Sequence, residues 1–172
     1  MTKPVDTEPV DAGATEQADP SADHVEAVEV HFPLTPDDEG WPPVPVEPIW
    51  VQPLGDDRYR LLNVPFFALG VSSGDVIQAT RDSTGIRHFV KVVQPSDRST
   101  IRIIVAEPEG VEALADQIIR RGCLVEASYI PALLAIDVPP EEDYAALLAL
   151  LDEFEAAEVL DYEEANIAAP HR

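Results

Sequence analysis

Read for apolar and polar alternation, the chain divides into two stretches with different periods. From His24 to Phe32 the pattern alternates, with Val28, Val30 and Phe32 on one side and Glu29 and His31 on the other. That period of two predicts a half-buried strand. Ile49–Leu54 and Arg58–Val64 repeat it around Gly55-Asp56-Asp57, and Asp75–Thr80 and Ile86–Val93 repeat it around Asp82–Gly85. Each pair reads as a hairpin. Between Thr35–Gly40, an acidic turn, and the first hairpin lies Trp41-Pro-Pro-Val-Pro-Val-Glu-Pro48. Its prolines lack ladder donors, so it is expected only as an edge or an extended connector. Five short strands with tight loops predict a small β-barrel, a meander of the SH3 or OB type, over 24–97.

After Pro95-Ser-Asp97 the period changes. Ile101–Val105 is a continuous apolar run, and Val111, Leu114, Ala115, Ile118 and Ile119 form a helical stripe stopped by Gly122. Leu124–Ile130 and Leu133–Val138 read as strands hinged at Pro131. Tyr144, Leu147, Leu148 and Leu151, flanked by Phe154, form a second stripe, with Glu141, Glu142 and Asp143 expected in the first helical turn. Val159–Tyr162 is the last strand. The order β-α-β-β-α-β over 98–165 predicts a ferredoxin-like domain, and the fold class is α+β. Residues 1–23 have no apolar period and read as a disordered acidic tail, and 166–172 as a second tail.

Within the predicted barrel, Asn63–Ile77 is the hinge between strand runs, and it holds Phe66, Phe67, a proline and two glycines. Neighbouring residues of an extended segment face opposite ways. One of Phe66 and Phe67 is therefore expected inside, and the other at the second unit or exposed as a partner contact.

Trp50, Pro53-Leu-Gly-Asp56, Tyr59-Arg-Leu61, Asn63-Val-Pro-Phe-Phe-Ala68 and Gly74-Asp-Val76 together resemble a bacterial family known as domain of unknown function 4265. Ser99-Thr-Ile-Arg-Ile-Ile104, Gly122-Cys-Leu-Val-Glu126 and Leu160-Asp-Tyr-Glu-Glu164 extend the likeness through residue 164. The resemblance implies a stand-alone cytoplasmic bacterial protein. It brings no activity, cofactor or catalytic residue.

Charge narrows the choice of partner. The chain of 172 residues has a formal net charge of −22. Residues 1–49 carry 12 acids and 1 base, 50–104 carry 5 acids and 7 bases, and 105–172 carry 16 acids and 3 bases. Such a field disfavours nucleic acid and anionic membranes and suits a basic protein. Asp152, Glu155, Glu158 and Asp161 crowd the end of the second helix and the strand after it. With Phe66 and Phe67 they are the candidate partner-binding residues. No signal peptide or membrane-spanning run is read, which favours the cytoplasm.

Catalytic readings find little support. Gly70-Val-Ser-Ser-Gly74 matches G-x-S-x-G, but a strand follows where the nucleophile elbow needs a helix. His24, His31 and His88 have no metal-ligand spacing, and Asp37–Gly40 and Glu141–Asp143 match no cation loop. The lone Cys123 reads as a buried structural thiol. No catalytic, cofactor or metal residue is assigned. The expectation is a non-enzymatic binding protein for a basic partner, immunity- or antitoxin-like in one concrete form. The alternative is a small-molecule-sensing regulator.

Overall fold

The computed structural model describes residues 26–106 and 110–172. The expected tail over 1–23 lies outside the described residues. Five strands close into a barrel: β1 (Val28–Pro33), β2 (Val46–Gly55), β3 (Arg58–Leu61), β4 (Val76–Arg81) and β5 (Arg87–Gln94). They follow one another as an antiparallel meander, and β1 meets β5 in parallel through His31 and His88. Alternation sends Val30, Phe32, Ile49, Val51, Leu61 and Ile77 into one core. The β2–β3 turn places Asp56 and Asp57 at φ 52° and 56°, which gives a two-residue connection the twist a hairpin needs.

Of the edge and the connector that the sequence allowed, the end of the proline run takes the edge. Strand β2 begins at Val46 and takes in Pro48, which sits opposite His31. Pairing of β2 with β3 begins only at Val51, so Pro48 has a strand on one side alone and its missing donor disturbs no second ladder. Pro53 falls where the β2–β3 register shifts.

The second unit is β6 (Ser99–Val105), α1 (Val111–Ile119), β7 (Leu124–Ala127), β8 (Leu133–Val138), α2 (Tyr144–Ala156) and β9 (Leu160–Asn166). Its four strands form an antiparallel sheet in the order β7-β8-β6-β9. Ile101, Ile103, Leu134 and Ile136 share one core with Leu114 and Ile118 of α1 and with Leu147 and Leu151 of α2, so both helices cover the same face. The protein is thus α+β with a small barrel.

Three local expectations are corrected. Asp143 is the N-cap of α2, its carboxylate accepting from Ala146 N at 3.1 Å, and Glu141 and Glu142 precede the helix. Strand β7 stops at Ala127, because Ser128–Ala132 turns the chain with Ala132 at φ 67°. The segment 166–172, expected as a tail, packs against the sheet. His171 stacks on Tyr144 with centroids 4.6 Å apart, and its Nδ1 lies 2.7 Å from Ser99 Oγ.

Candidate functional site

Apolar alternation on β2 puts Glu47 in phase with Ile49 and Val51, and the carboxylate is buried with them. Burial of a charge without partners is costly, so the chain brings donors to it. The segment between β3 and β4 passes over Glu47, and three consecutive amides donate to it: Phe66 N at 2.6 Å, Phe67 N at 3.0 Å and Ala68 N at 2.7 Å. From the other side comes Arg102 of β6, out of phase with Ile101 and Ile103 and therefore on the face away from the helices. Its Nη1 donates to Phe66 O and Phe67 O, both at 3.0 Å, and Nη2 to Glu163 at 2.6 Å. A carboxylate and a guanidinium thus grip the same two peptide units, Phe66–Phe67 and Phe67–Ala68, one by their N–H groups and the other by their carbonyls.

Further bonds extend this seam across the helix-free face of the sheet. Val64 N donates to Glu126, Gly70 N to Ala165 O, and Asn166 Nδ2 to Ser72 Oγ, which also lies 2.8 Å from Thr100 Oγ1. Ser72 is fully buried in that network, and β4 follows it. The G-x-S-x-G match is accordingly a turn, with Gly70 and Gly74 at φ 71° and 79°. Ser99 and His171 form a serine–histidine contact, but Ser99 is fully buried and its Oγ also accepts from Ala168 N. That pair pins the last residues to β6.

The burial of this seam shows in its acids. Desolvation raises the Asp75 carboxyl above its ordinary value, opposed by amide donors from Ser72 and Ser96, and it raises Glu126 as well. Burial also pushes the Cys123 thiol up to about 12, so the thiolate is scarce at neutral pH. Among the described residues no group of three or more His, Cys, Asp or Glu is placed to hold a metal ion. His88 of β5 instead pairs with Asp82 of the β4–β5 loop at 2.9 Å.

Two surface depressions flank one aromatic pair at the seam. Trp41 meets Phe67 edge to face, centroids 5.6 Å apart. On one side is a groove of about 320 Å³ whose walls are Trp50, Phe66, Phe67 and Tyr129, with Glu47 and Asn63 beneath. On the other is a hollow of about 120 Å³ bounded by Trp41, Ile104, Tyr162, Asp161 and Glu163. Phe67 is 5% exposed and Phe66 is half-buried. Phe67 packs on Trp41, apart from the barrel's own core cluster, because the chain is turned here and both residues are held at the junction by their peptide groups.

The acidic candidates lie beyond the smaller hollow. Asp152, Glu155, Glu158 and Asp161 are all exposed. Asp152 accepts from Tyr162 OH at 2.6 Å, and that bond, with burial, raises the tyrosine to about 12. Glu158 sits at φ 56° in the turn from α2 to β9, its amide bonded to Glu155 O. None of the four has an ion-pair partner among the described residues. Of the four, Asp161 alone borders either depression. Glu47, Arg102, Trp50 and Tyr129 were not singled out from sequence as site residues. For Glu47 a signal existed, an acid in phase with Ile49 and Val51.

The chain belongs to the family described as Domain of unknown function (DUF4265), whose family model matches residues 47–162. The match therefore runs from Glu47 itself to β9. No curated protein matches. A solved structure described as "Novel crystal structure of a hypothetical protein from Neisseria gonorrhoeae" is similar at a TM-score of 0.70 and 20% identity, over 85% of this chain and 99% of that one. At that identity the likeness is one of fold.

Proposed function

We propose that this member of the family is a non-enzymatic cytoplasmic binding protein that holds a basic protein partner against the surface of α2 and β9. An immunity- or antitoxin-like role is one form this takes. The observation that carries the reading is the set Asp152, Glu155, Glu158 and Asp161, exposed and without a cation opposite any of them among the described residues. Such acids attract a basic partner over a Debye length and favour correct encounter more than they tighten the final complex. In the same spirit we read the second unit as ferredoxin-like, which its sheet order supports.

The test is association with a defined basic protein followed by stopped flow at low and high salt. Glu155→Lys with Glu158→Lys should slow association roughly tenfold at low salt and flatten its salt dependence. Unchanged rates at low salt would refute the reading. The groove of about 320 Å³ favours a second reading, a small-molecule-sensing regulator, since that volume reaches the lower end of ligand pockets at about 300 Å³. A thermal shift with neutral metabolites that ignores salt would favour it.

A further inference from the structure

The larger groove has a chemistry of its own. Trp50 is 49% exposed and Tyr129 74% exposed, and both line it with the half-buried Phe66. The ring contacts among the described residues join His31 to His88, Phe32 to Phe89, Trp41 to Phe67 and Tyr144 to His171. Trp50, Phe66 and Tyr129 stack on none of these rings, so three rings without a ring partner border one space. No Lys or Arg lines the groove, whose one charged lining residue is Glu47. Outside it, Glu29 stands opposite Trp50 in the β1–β2 register, and both are exposed. Directly paired strand residues have Cβ atoms about 5 Å apart, so this carboxylate borders the indole.

Ring faces carry negative potential, and cations seat over them, tryptophan best of all. Glu47 in the lining and Glu29 beside Trp50 have the same sign as the ring faces, and the Arg102 guanidinium, spent on Phe66 O, Phe67 O and Glu163, borders the smaller hollow instead of this groove. The backbone at Trp50 is held independently of any guest, its N–H donating to Asn63 Oδ1 and its carbonyl accepting from Leu62 N, both at 2.9 Å. We infer that the groove of Trp50, Phe66 and Tyr129 is a receptor for a cationic side chain, the guanidinium or ammonium of a basic protein segment. This deepens the function proposed above and rests on its basic partner. The acidic surface of α2 and β9 draws the partner in, and the rings hold one of its basic side chains.

The probe is a capped diarginine peptide titrated into the full chain, with its dicitrulline counterpart as the neutral control of equal shape. Binding is followed by calorimetry and by the indole N–H resonance of Trp50, which Trp50→Phe assigns because the chain has only two tryptophans. The diarginine peptide should bind at least roughly tenfold more tightly than the dicitrulline one. Trp50→Ala and Tyr129→Ala should each weaken it roughly threefold to thirtyfold, the range of one cation–ring contact, and Trp50→Phe should restore part of the loss. Tyr129 is exposed enough that its alanine variant keeps the fold, which a urea melt checks. Equal binding of both peptides, no binding at millimolar concentration, or ring variants equal to the parent would overturn the inference. Should the ring variants matter and Glu155→Lys with Glu158→Lys not, the receptor stands and the acidic-surface reading falls. The converse pattern removes the receptor and keeps the acidic surface.

Discussion

Replacing Glu47 tests whether the segment between β3 and β4 is held by its carboxylate. Glu47→Ala removes the acceptor for three amides that lie at 2.6, 3.0 and 2.7 Å. A hydrogen bond to a charged group contributes about 1.5–3 kcal/mol net, and a buried donor left unpaired costs about 1–3 kcal/mol. The three donors share one carboxylate, and the adjoining groove admits water to part of them, so the losses do not add in full. We expect Glu47→Ala to destabilise by roughly 3–5 kcal/mol. Glu47→Met, similar in length and without acceptors, should cost nearly as much. Glu47→Gln keeps one acceptor oxygen and turns an amide N–H₂ toward a donor, so it should cost about 1.5–3 kcal/mol. Urea melts read the loss, and hydrogen exchange at Phe66, Phe67 and Ala68 reads its location. A Glu47→Ala variant within about 1 kcal/mol of the parent, or unchanged exchange at those amides, would refute the reasoning.

Three further outcomes are expected. Phe67→Ala should cost about 3–4 kcal/mol and Phe66→Ala about 1 kcal/mol in urea melts, because only Phe67 is buried; equal losses would contradict this. Cys123 should stay unmodified by a thiol reagent at about pH 8 until the chain is unfolded, and rapid labelling of the folded protein would contradict its burial. Glu126 has its folded pKa above the ordinary 4.5, so the native state holds its proton more tightly than the unfolded one. Its contribution to stability is therefore full below pH 4.5 and is lost as pH rises through the raised value. Glu126→Gln should remove that fall while keeping the acceptor for Val64 N, and parallel stability–pH curves for parent and variant would count against it.

What the sequence discloses depends on whether a residue acts as part of a row. Leu133–Val138 was legible to the residue, and so was the order of elements from Ile101 to Tyr162, because rows of apolar side chains repeat with the period of their element. Arg102 acts alone. Between Ile101 and Ile103 it reads as an interruption of an apolar strand, although it lies on the opposite face and reaches the peptide groups of Phe66 and Phe67. Tyr129 was invisible as a groove wall, since its place depends on the β7–β8 turn and nothing in its neighbours repeats. The closing residues 166–172 carry too few apolar positions to announce a docked segment, yet Ala168 and His171 attach them through single hydrogen bonds to Ser99.

The meeting of β1 and β5 sets an order of assembly. A meander of five strands, each antiparallel to the last, brings its first and fifth strands together running the same way, and here they touch in register at His31 and His88. During synthesis the N-terminal strand emerges first, yet its second neighbour exists only after β5 has been made. Until then β1 has β2 alone, and Val30 and Phe32 lack Phe89, which later stacks on Phe32 at 4.5 Å. The first-made strand of the barrel therefore gains its second neighbour only when the last one arrives. Closure over so long a loop of chain is a slow, non-local step, and the edge of β1 stands open for the whole of that wait.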